Sequence, residues 1–361
     1  MLSAALALSG SGQAANNGVP ESLWRHFTTG VNITRWFCYQ PNYDANHLTT
    51  YLVPADYDRF KRLHLGFVRL CLSPEAVYDN GALNTTNAPY LDSALTNLTS
   101  ANLAVLFDLH DNGQLKLDDP GKDNTAFVNF WVDVAKHYRG KFERTVVFEL
   151  VNEPQFNKNP DVWYALQQQT VDAIRAVDPA RTVMVSGTSW SGIDTLASMT
   201  KLPEKNLIYT YHCYDPFFFT HQGASWVGEY PGKFKDVPFP SSPEAVAAML
   251  NEVDQKYWPA LKDYGEKRYG QAYLQERLAK AQDWAKAHDV PVVLGEFGSY
   301  PPVAPRASRI RWFAAMRQTI ESEHVAASVW GYDDAMGLGR RLLPDGALWL
   351  DPVTIANLYR K

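Results

Sequence analysis

The sequence predicts an α/β fold, a single-domain (β/α)8 TIM barrel, and three observations predict it. First, eight apolar, β-branched runs alternate along the chain with segments of helical period. Strands that are apolar at nearly every position belong to parallel sheets covered on both faces. Second, no Ser/Thr/Pro-rich linker, low-complexity tract or charge block interrupts the 361 residues, so one unit from Gly18 to Lys361 is the simplest parse. Barrels of this kind run from roughly 200 to over 400 residues as one domain. Third, no Gly-rich phosphate loop follows the first run, which disfavours an open dinucleotide-binding sheet.

The strands are expected at Gly30–Phe37 (GVNITRWF), Gly66–Leu72 (GFVRLCL), Leu103–His110 (LAVLFDLH) and Thr145–Glu153 (TVVFELVNE). The second four are Arg181–Gly187 (RTVMVSG), Leu207–Tyr214 (LIYTYHCY), Val290–Phe297 (VPVVLGEF) and Ala326–Asp333 (AASVWGYD). Among the helical segments, NTAFVNFWVDVAKHYRGKF places Phe127, Phe130, Trp131 and Val134 on one face. PDVWYALQQQTVDAIRAVDP opens on Pro160 and Asp161, a helix-start signal, and closes at Pro179. QAYLQERLAKAQDWAKAHDV leads directly into the seventh strand.

The balance of charge, formally -5, offers no basic surface for nucleic acid. No run approaches the roughly 18 apolar residues of a membrane span. Aromatic content of 13%, with 11 Trp, suits a groove that holds something flat-faced. Cys38, Cys71 and Cys213 match no zinc spacing and are read as buried free thiols, with a Cys38–Cys71 bridge between neighbouring strands left open. Residues 1–17, MLSAALALSGSGQAANN, resemble the apolar core and cleavage end of a signal peptide, which implies a secreted, extracellular protein.

In such a barrel the reactive face lies where strands hand over to loops. The strand ends supply Arg69, His110, Asn152 with Glu153, His212 with Tyr214, Glu296 and Trp330; the loop after strand five adds Trp190. Pleat alternation puts His212 and Tyr214 on one side, and Glu296 with Leu294 and Val292. Asn152 and Glu153 are adjacent, so both reach one mouth only if the end of strand four is bulged or bent. Glu149, four residues before Glu153, is expected to be a buried structural carboxylate.

Two carboxylates facing across an aromatic groove suit acetal hydrolysis. The glycosidic oxygen needs a proton, and a second carboxylate can trap the oxocarbenium-like carbon. One glutamate must be protonated while the other is ionised. Arg69 is the expected source of that difference, holding Glu296 charged while Glu153 keeps its proton in a more apolar corner.

These strand tips resemble glycoside hydrolase family 5, the retaining barrel group of endoglucanases and mannanases. The resemblance runs from Gly30 to Asp334 through FVRL, DLHDN, FELVNEP, YHCYDP, VVLGEFG and SVWGY, one motif per expected strand. It implies Glu153 as acid/base, Glu296 as nucleophile, and a covalent glycosyl-enzyme intermediate. It further implies Asn152 on the sugar 2-hydroxyl, Arg69 and Tyr214 on the nucleophile, His110 and His212 lining the cleavage subsite, and Trp330 as its floor. No cofactor or metal is implied.

Two other classes compete. A metal-dependent hydrolase would need a ligand cluster such as paired histidines on one strand. A non-catalytic carbohydrate-binding barrel shares the aromatic groove but typically lacks one carboxylate. Trp36, Tyr39, Trp190, Trp226 and the YDPFFF loop (Tyr214–Phe219) offer surfaces for consecutive sugar rings, so an endo-acting monomer on β-1,4-glucan or mixed-linkage β-glucan is expected, with β-mannan or glucomannan as the alternative. Thr220–Leu261 is expected to shape one end of the cleft.

Overall fold

The structure, a computed structural model, describes residues 17–341 and 346–359. The expected leader therefore lies outside the described residues apart from Asn17. Eight parallel strands close into a barrel: β1 Thr29–Phe37, β2 Phe67–Leu72, β3 Ala104–Leu109, β4 Val146–Glu149, β5 Val183–Ser186, β6 Leu207–His212, β7 Val292–Phe297 and β8 Ala326–Val329. Each pairs with its sequence neighbours, and β1 closes on β8 through Thr29–Ala327, Gly30–Ser328 and Val31–Val329. The outer layer is α1 Pro54–Arg62, α2 Ala88–Ser100, α3 Thr125–Tyr138, α4 Pro160–Val177, α5 Ile193–Ser198, α6 Gln271–His288, α7 Arg306–Ser322 and α8 Pro352–Leu358. No helix among the described residues is long and apolar enough to cross a membrane.

Local chemistry accounts for these elements. α1, α4 and α8 each begin on proline, whose missing N–H costs nothing at the first helical position. α4 buries Trp163, Leu166, Thr170 and Ile174, the three-to-four spacing of a single apolar stripe. α6 stops where Asp289 enters the left-handed region at φ +50°, a helix-ending conformation. Strands β2, β3, β6 and β7 are buried at every position, as a layer covered on both faces requires.

Strands four, six and eight stop at Glu149, His212 and Val329, short of the expected Glu153, Tyr214 and Asp333. Beyond those points single hydrogen bonds replace the ladder: Asn152 N to Leu109 O (2.9 Å), Cys213 N to Glu296 O (3.0 Å) and Trp330 N to Phe297 O (2.8 Å). The polar tips have thus left the sheet and belong to the rim. Helix tryptophans anchor that rim. Trp131, Trp163 and Trp312 donate to the carbonyls of Leu150, Ser186 and Asp215 at 3.0–3.1 Å. Much of the aromatic content therefore serves the core rather than the groove.

Inside the barrel the chemistry is layered. An apolar plug of Leu23, Phe27, Phe67, Leu106, Val147, Met184, Ile208 and Val293 fills the N-terminal end. Above it stand Asn32, Arg69, Asp108, Glu149, Thr210 and Ser328, all buried and polar. The expected alternation on β7 fails here: Val293 belongs to the interior plug, whereas Leu294 packs in the outer core. The register against β6 slips between Tyr211–Leu294 and His212–Glu296, so the bulge around Gly295 returns Glu296 to the interior. The Gly295 carbonyl accepts from Asn32 Nδ2 (3.0 Å) and Ser328 Oγ (2.6 Å). A Cβ there would lie 2.7 Å from Thr210 Oγ1 and 3.1 Å from His212 Nε2. Gly295→Ala should therefore destabilise the fold by about 1–3 kcal/mol, as overpacking does, read from the denaturant midpoint, with a loss of activity from the displaced His212.

Candidate active site

β2 delivers Arg69 to the barrel axis, where it is fully buried. A guanidinium presents five N–H donors in one plane. Nε and Nη2 grip Glu149 at 2.8 Å each. Nη2 also reaches Asn152 Oδ1 at 2.9 Å and Asp108 Oδ2 at 3.1 Å. Nη1 meets Asn32 Oδ1 at 3.1 Å and Glu296 Oε1 at 2.5 Å. Burial opposes the charge on Arg69, but Asp108, Glu149 and Glu296 outweigh it and hold the guanidinium protonated. Burial also raises Asp108 to about 6 and pushes Glu149 upward, with Arg69 pulling both the other way.

Glu296 has a second anchor, because Tyr214 Oη donates to its Oε2 at 2.8 Å. Glu153 reaches the same cavity by a bend beyond the strand rather than a bulge within it. Its φ is +47°, a region few residues with a Cβ enter, and it lets both Asn152 and Glu153 line the cleft. Glu153 Oε1 lies 2.9 Å from His212 Nδ1. Burial raises the Glu153 carboxyl to about 7, partly offset by His110 and Arg69. Burial lowers His212 to about 4, so the ring is neutral at pH 7. Its Nε2 has no protein partner among the described residues. A buried orphan N–H is the rarer defect, so the ring proton belongs on Nδ1 and is donated to Glu153. One oxygen of each glutamate and a His212 nitrogen lie within 4.8 Å of one another.

The walls follow. Trp330 stacks on His110 with centroids 5.3 Å apart. His110 Nδ1 contacts Asp108 at 2.8 Å, and its Nε2 lies 2.9 Å from the Tyr39 hydroxyl. Trp190, Phe217 and Trp226 line the rest of a cavity of about 1000 Å³, each roughly half exposed. Ser189, Trp190 and Ser191 take three successive positive φ values, and the first two donate backbone N–H groups to Gln155 and Pro154. The Trp190 loop is thus tied directly to the Glu153 loop. Such sparsely populated conformations gather at functional sites.

One sequence expectation for the site, Trp36 in the cleft, needs correction, and the reading of the cysteines as buried free thiols holds. Trp36 does not reach the cleft: it is buried, donates to Leu48 O at 2.9 Å and packs on Tyr51. Its side chain leaves β1 toward the helices, and the turn at Tyr39 (φ +54°) brings that ring to the mouth instead. Cys38 and Cys71 are free, buried thiols, not a bridge. Reading strand tips alone also missed Asn32 and Asp108, which lie one layer deeper. Their signal was a polar residue interrupting an apolar strand on its inward parity.

Among the described residues, two groups hold ligand atoms close enough for a metal ion, Cys71–Asp108–His110 and Glu153–His212–Glu296. The Arg69 guanidinium touches a carboxylate of each, at 3.1 and 2.5 Å, and its charge opposes a second cation there. Arg69→Met should strip the buried carboxylates of their counter-charge. It is expected to lower the unfolding free energy by about 3–5 kcal/mol, measured by chemical denaturation, and to abolish activity.

Comparison with known proteins agrees with this fold. Residues 36–335 match the family Cellulase (glycosyl hydrolase family 5). Endoglucanase 3 of Fibrobacter succinogenes is 28% identical over 345 residues, covering 88% of this chain and 51% of that protein. Endoglucanase C of Acetivibrio thermocellus is 25% identical over 320 residues, covering 85% and 91%. The chain thus spans about half the length of the first relative and nearly all of the second. Among solved structures, Thermotoga maritima Cel5A in complex with mannotriose superposes with a TM-score of 0.76 at 23% identity, covering 96% of this chain and 100% of that one. The same enzyme in complex with cellobiose gives 0.74 at 23% identity, covering 92% and 98%. With the family matched across most of its barrel, the chain belongs to the family Cellulase (glycosyl hydrolase family 5) and is a glycoside hydrolase.

Proposed function

We propose that the chain is an endo-acting, retaining hydrolase of β-1,4-linked glucan, cellulose-type or mixed-linkage, working by double displacement. The observation that carries the proposal is a pair of glutamates in unlike surroundings across one cleft. Glu296 is fixed by Arg69 and Tyr214. Glu153 is raised to about 7 by burial. An oxygen of each lies within 4.8 Å of the other, which favours retention, since inversion needs about 6.5–9.5 Å between the carboxyl groups for a water.

In the first step Glu296 attacks the anomeric carbon as the glycosidic C–O bond breaks. Glu153 gives its proton to the departing oxygen, and a glycosyl ester on Glu296 results. In the second, water attacks that carbon, Glu153 takes the water's proton, and the ester bond breaks to return the Glu296 carboxylate. Asn152 is the proposed partner of the sugar 2-hydroxyl, Trp330 the floor, and His110 and Tyr39 the adjoining wall. Action outside the cell is part of the proposal, because a polymer too large to import is met there. β-Mannan or glucomannan is the second reading, since a structural neighbour was solved with mannotriose. The two differ in the orientation of the 2-hydroxyl near Asn152.

Initial rates on carboxymethylcellulose, barley β-glucan, glucomannan and galactomannan test the substrate. The expected order has barley β-glucan and carboxymethylcellulose first, and a preference for galactomannan would overturn it. Proton NMR of early product should reveal the β anomer, whereas the α anomer first would mean inversion.

The protonation of Glu153 sets a pH dependence. The acid must hold its proton to act, so on the alkaline side kcat/KM should bend at about 7 and fall about tenfold per unit above it. Glu153→Gln should lower the rate on unactivated glucan by about 10²–10⁴-fold and flatten that alkaline limb on an aryl glycoside whose leaving group needs no proton.

A further inference from the structure

The 213–270 connection between β6 and α6 builds a second cavity of about 510 Å³, beside the catalytic cleft and sharing Asp215 and Phe217 with it. That volume falls within the roughly 300–1,000 Å³ of small-ligand sites. Its walls are Pro216, Phe218, Tyr230, Tyr264 and Tyr269, with the Asp263 carboxylate at the edge. Phe217 and Tyr230, both nearly half exposed, stand at its mouth. Phe218 stacks on Tyr264 at 5.2 Å and Tyr269 meets it tilted at 5.4 Å, so the buried Tyr264 backs the wall and the exposed rings are Phe217 and Tyr230. Pro231 and Phe234 hold the Tyr230 segment in place through backbone hydrogen bonding, Phe234 N to Pro231 O at 3.0 Å.

The direction of the cleft fixes which part of a substrate meets this pocket. Trp330 is bonded through its backbone to Phe297, next to Glu296, and so stands on the nucleophile's side. Trp190 is bonded to Pro154, next to Glu153, and stands on the acid's side. The nucleophile attacks the sugar that stays, and the acid protonates the one that leaves. The leaving portion therefore runs toward the β5 and β6 loops, where Asp194, Arg277 and Asp215 line the cleft. Arg277 bonds Asp215 at 2.8 Å and Asp194 at 3.0 Å, which clamps the two loops into a continuous floor. Beyond Asp215 and Phe217 lies the second cavity.

We propose that the cavity walled by Phe218, Tyr230, Tyr264 and Tyr269 is a further sugar-binding site, occupied by the distal residues on the leaving-group side of the same polysaccharide chain. The proposal rests on the hydrolase reading above. The exposed rings of Phe217 and Tyr230 can cover the C–H faces of a pyranose, and the exposed ion pair of Asp263 with Lys267, 2.9 Å apart, offers acceptor and donor to its hydroxyls. Continuity with the cleft selects the substrate's own chain over an unrelated ligand. A bound chain then gains contacts that neither reacting sugar makes, and binding energy far from the bond is available for positioning it.

The test compares kcat/KM on a long β-1,4-glucan with kcat/KM on an aryl β-cellobioside, whose leaving group ends at the first position past the cut. Two variants are used: Tyr230→Ala, which removes a wall, and Ala260→Trp, which fills the cavity while keeping the surrounding aromatics. Both should lose about three- to tenfold on the polymer, the worth of one aromatic contact, and match the parent on the cellobioside. Unchanged polymer rates in both variants would overturn the pocket, and so would an equal loss on both substrates, which is the mark of a structural effect. Failure of the parent enzyme on every β-1,4-glucan would instead overturn the substrate reading beneath it.

Discussion

One fully buried guanidinium sits where the apolar plug of the barrel gives way to the reactive rim, and the site is arranged around it. Arg69 takes partners from β1, β3, β4, the turn after β4, and β7. Its planar fork serves these partners at once, a task a lysine ammonium could not perform. Because these five partners lie on different segments, the position of Glu296 is tied to the closure of the whole barrel. The cost of burying charge is met only while all partners stay in place. The site is therefore rigid for the same reason that the sheet is closed.

That arrangement gathers more negative than positive charge. Asp108, Glu149 and Glu296 surround one arginine, while His110 and His212 are neutral at pH 7 because burial lowers both to about 4. On the proposed mechanism, a substrate carbon that becomes cationic on the way to reaction would enter a field already set to receive it, with no reorganisation at the moment of bond breaking. The proton on Glu153 has a different origin: burial raises that carboxyl, His110 and Arg69 oppose the rise, and Asp108 adds only a smaller push upward.

On the proposed function, the loops would extend the chemistry to a polymer. The Trp190 loop is fastened to the Glu153 loop by backbone bonds, and Arg277 fastens α6 to α5 and to the Asp215 turn. The outer walls of the cleft are thus held by contacts between neighbouring connections rather than by the sheet. In a barrel of this kind the sheet supplies rigidity and the connections supply reach.

The sequence by itself determined the barrel, the order of its strands and the two glutamates, because each is written in a local pattern. An apolar run needs only its own residues to declare a strand, and a carboxylate at its end declares a rim. Tertiary structure decided what depends on neighbours far along the chain. The slip at Gly295 returns Glu296 to the interior only through pairing with β6 and β8. Tyr39 rather than Trp36 faces the cleft because the packing of Trp36 against Leu48 and Tyr51 draws that ring outward. Asn32 and Asp108 acquire their roles only when Arg69 arrives between them. Periodicity along one strand carries no record of such distances, since they are set by the register and curvature of strands it does not contain.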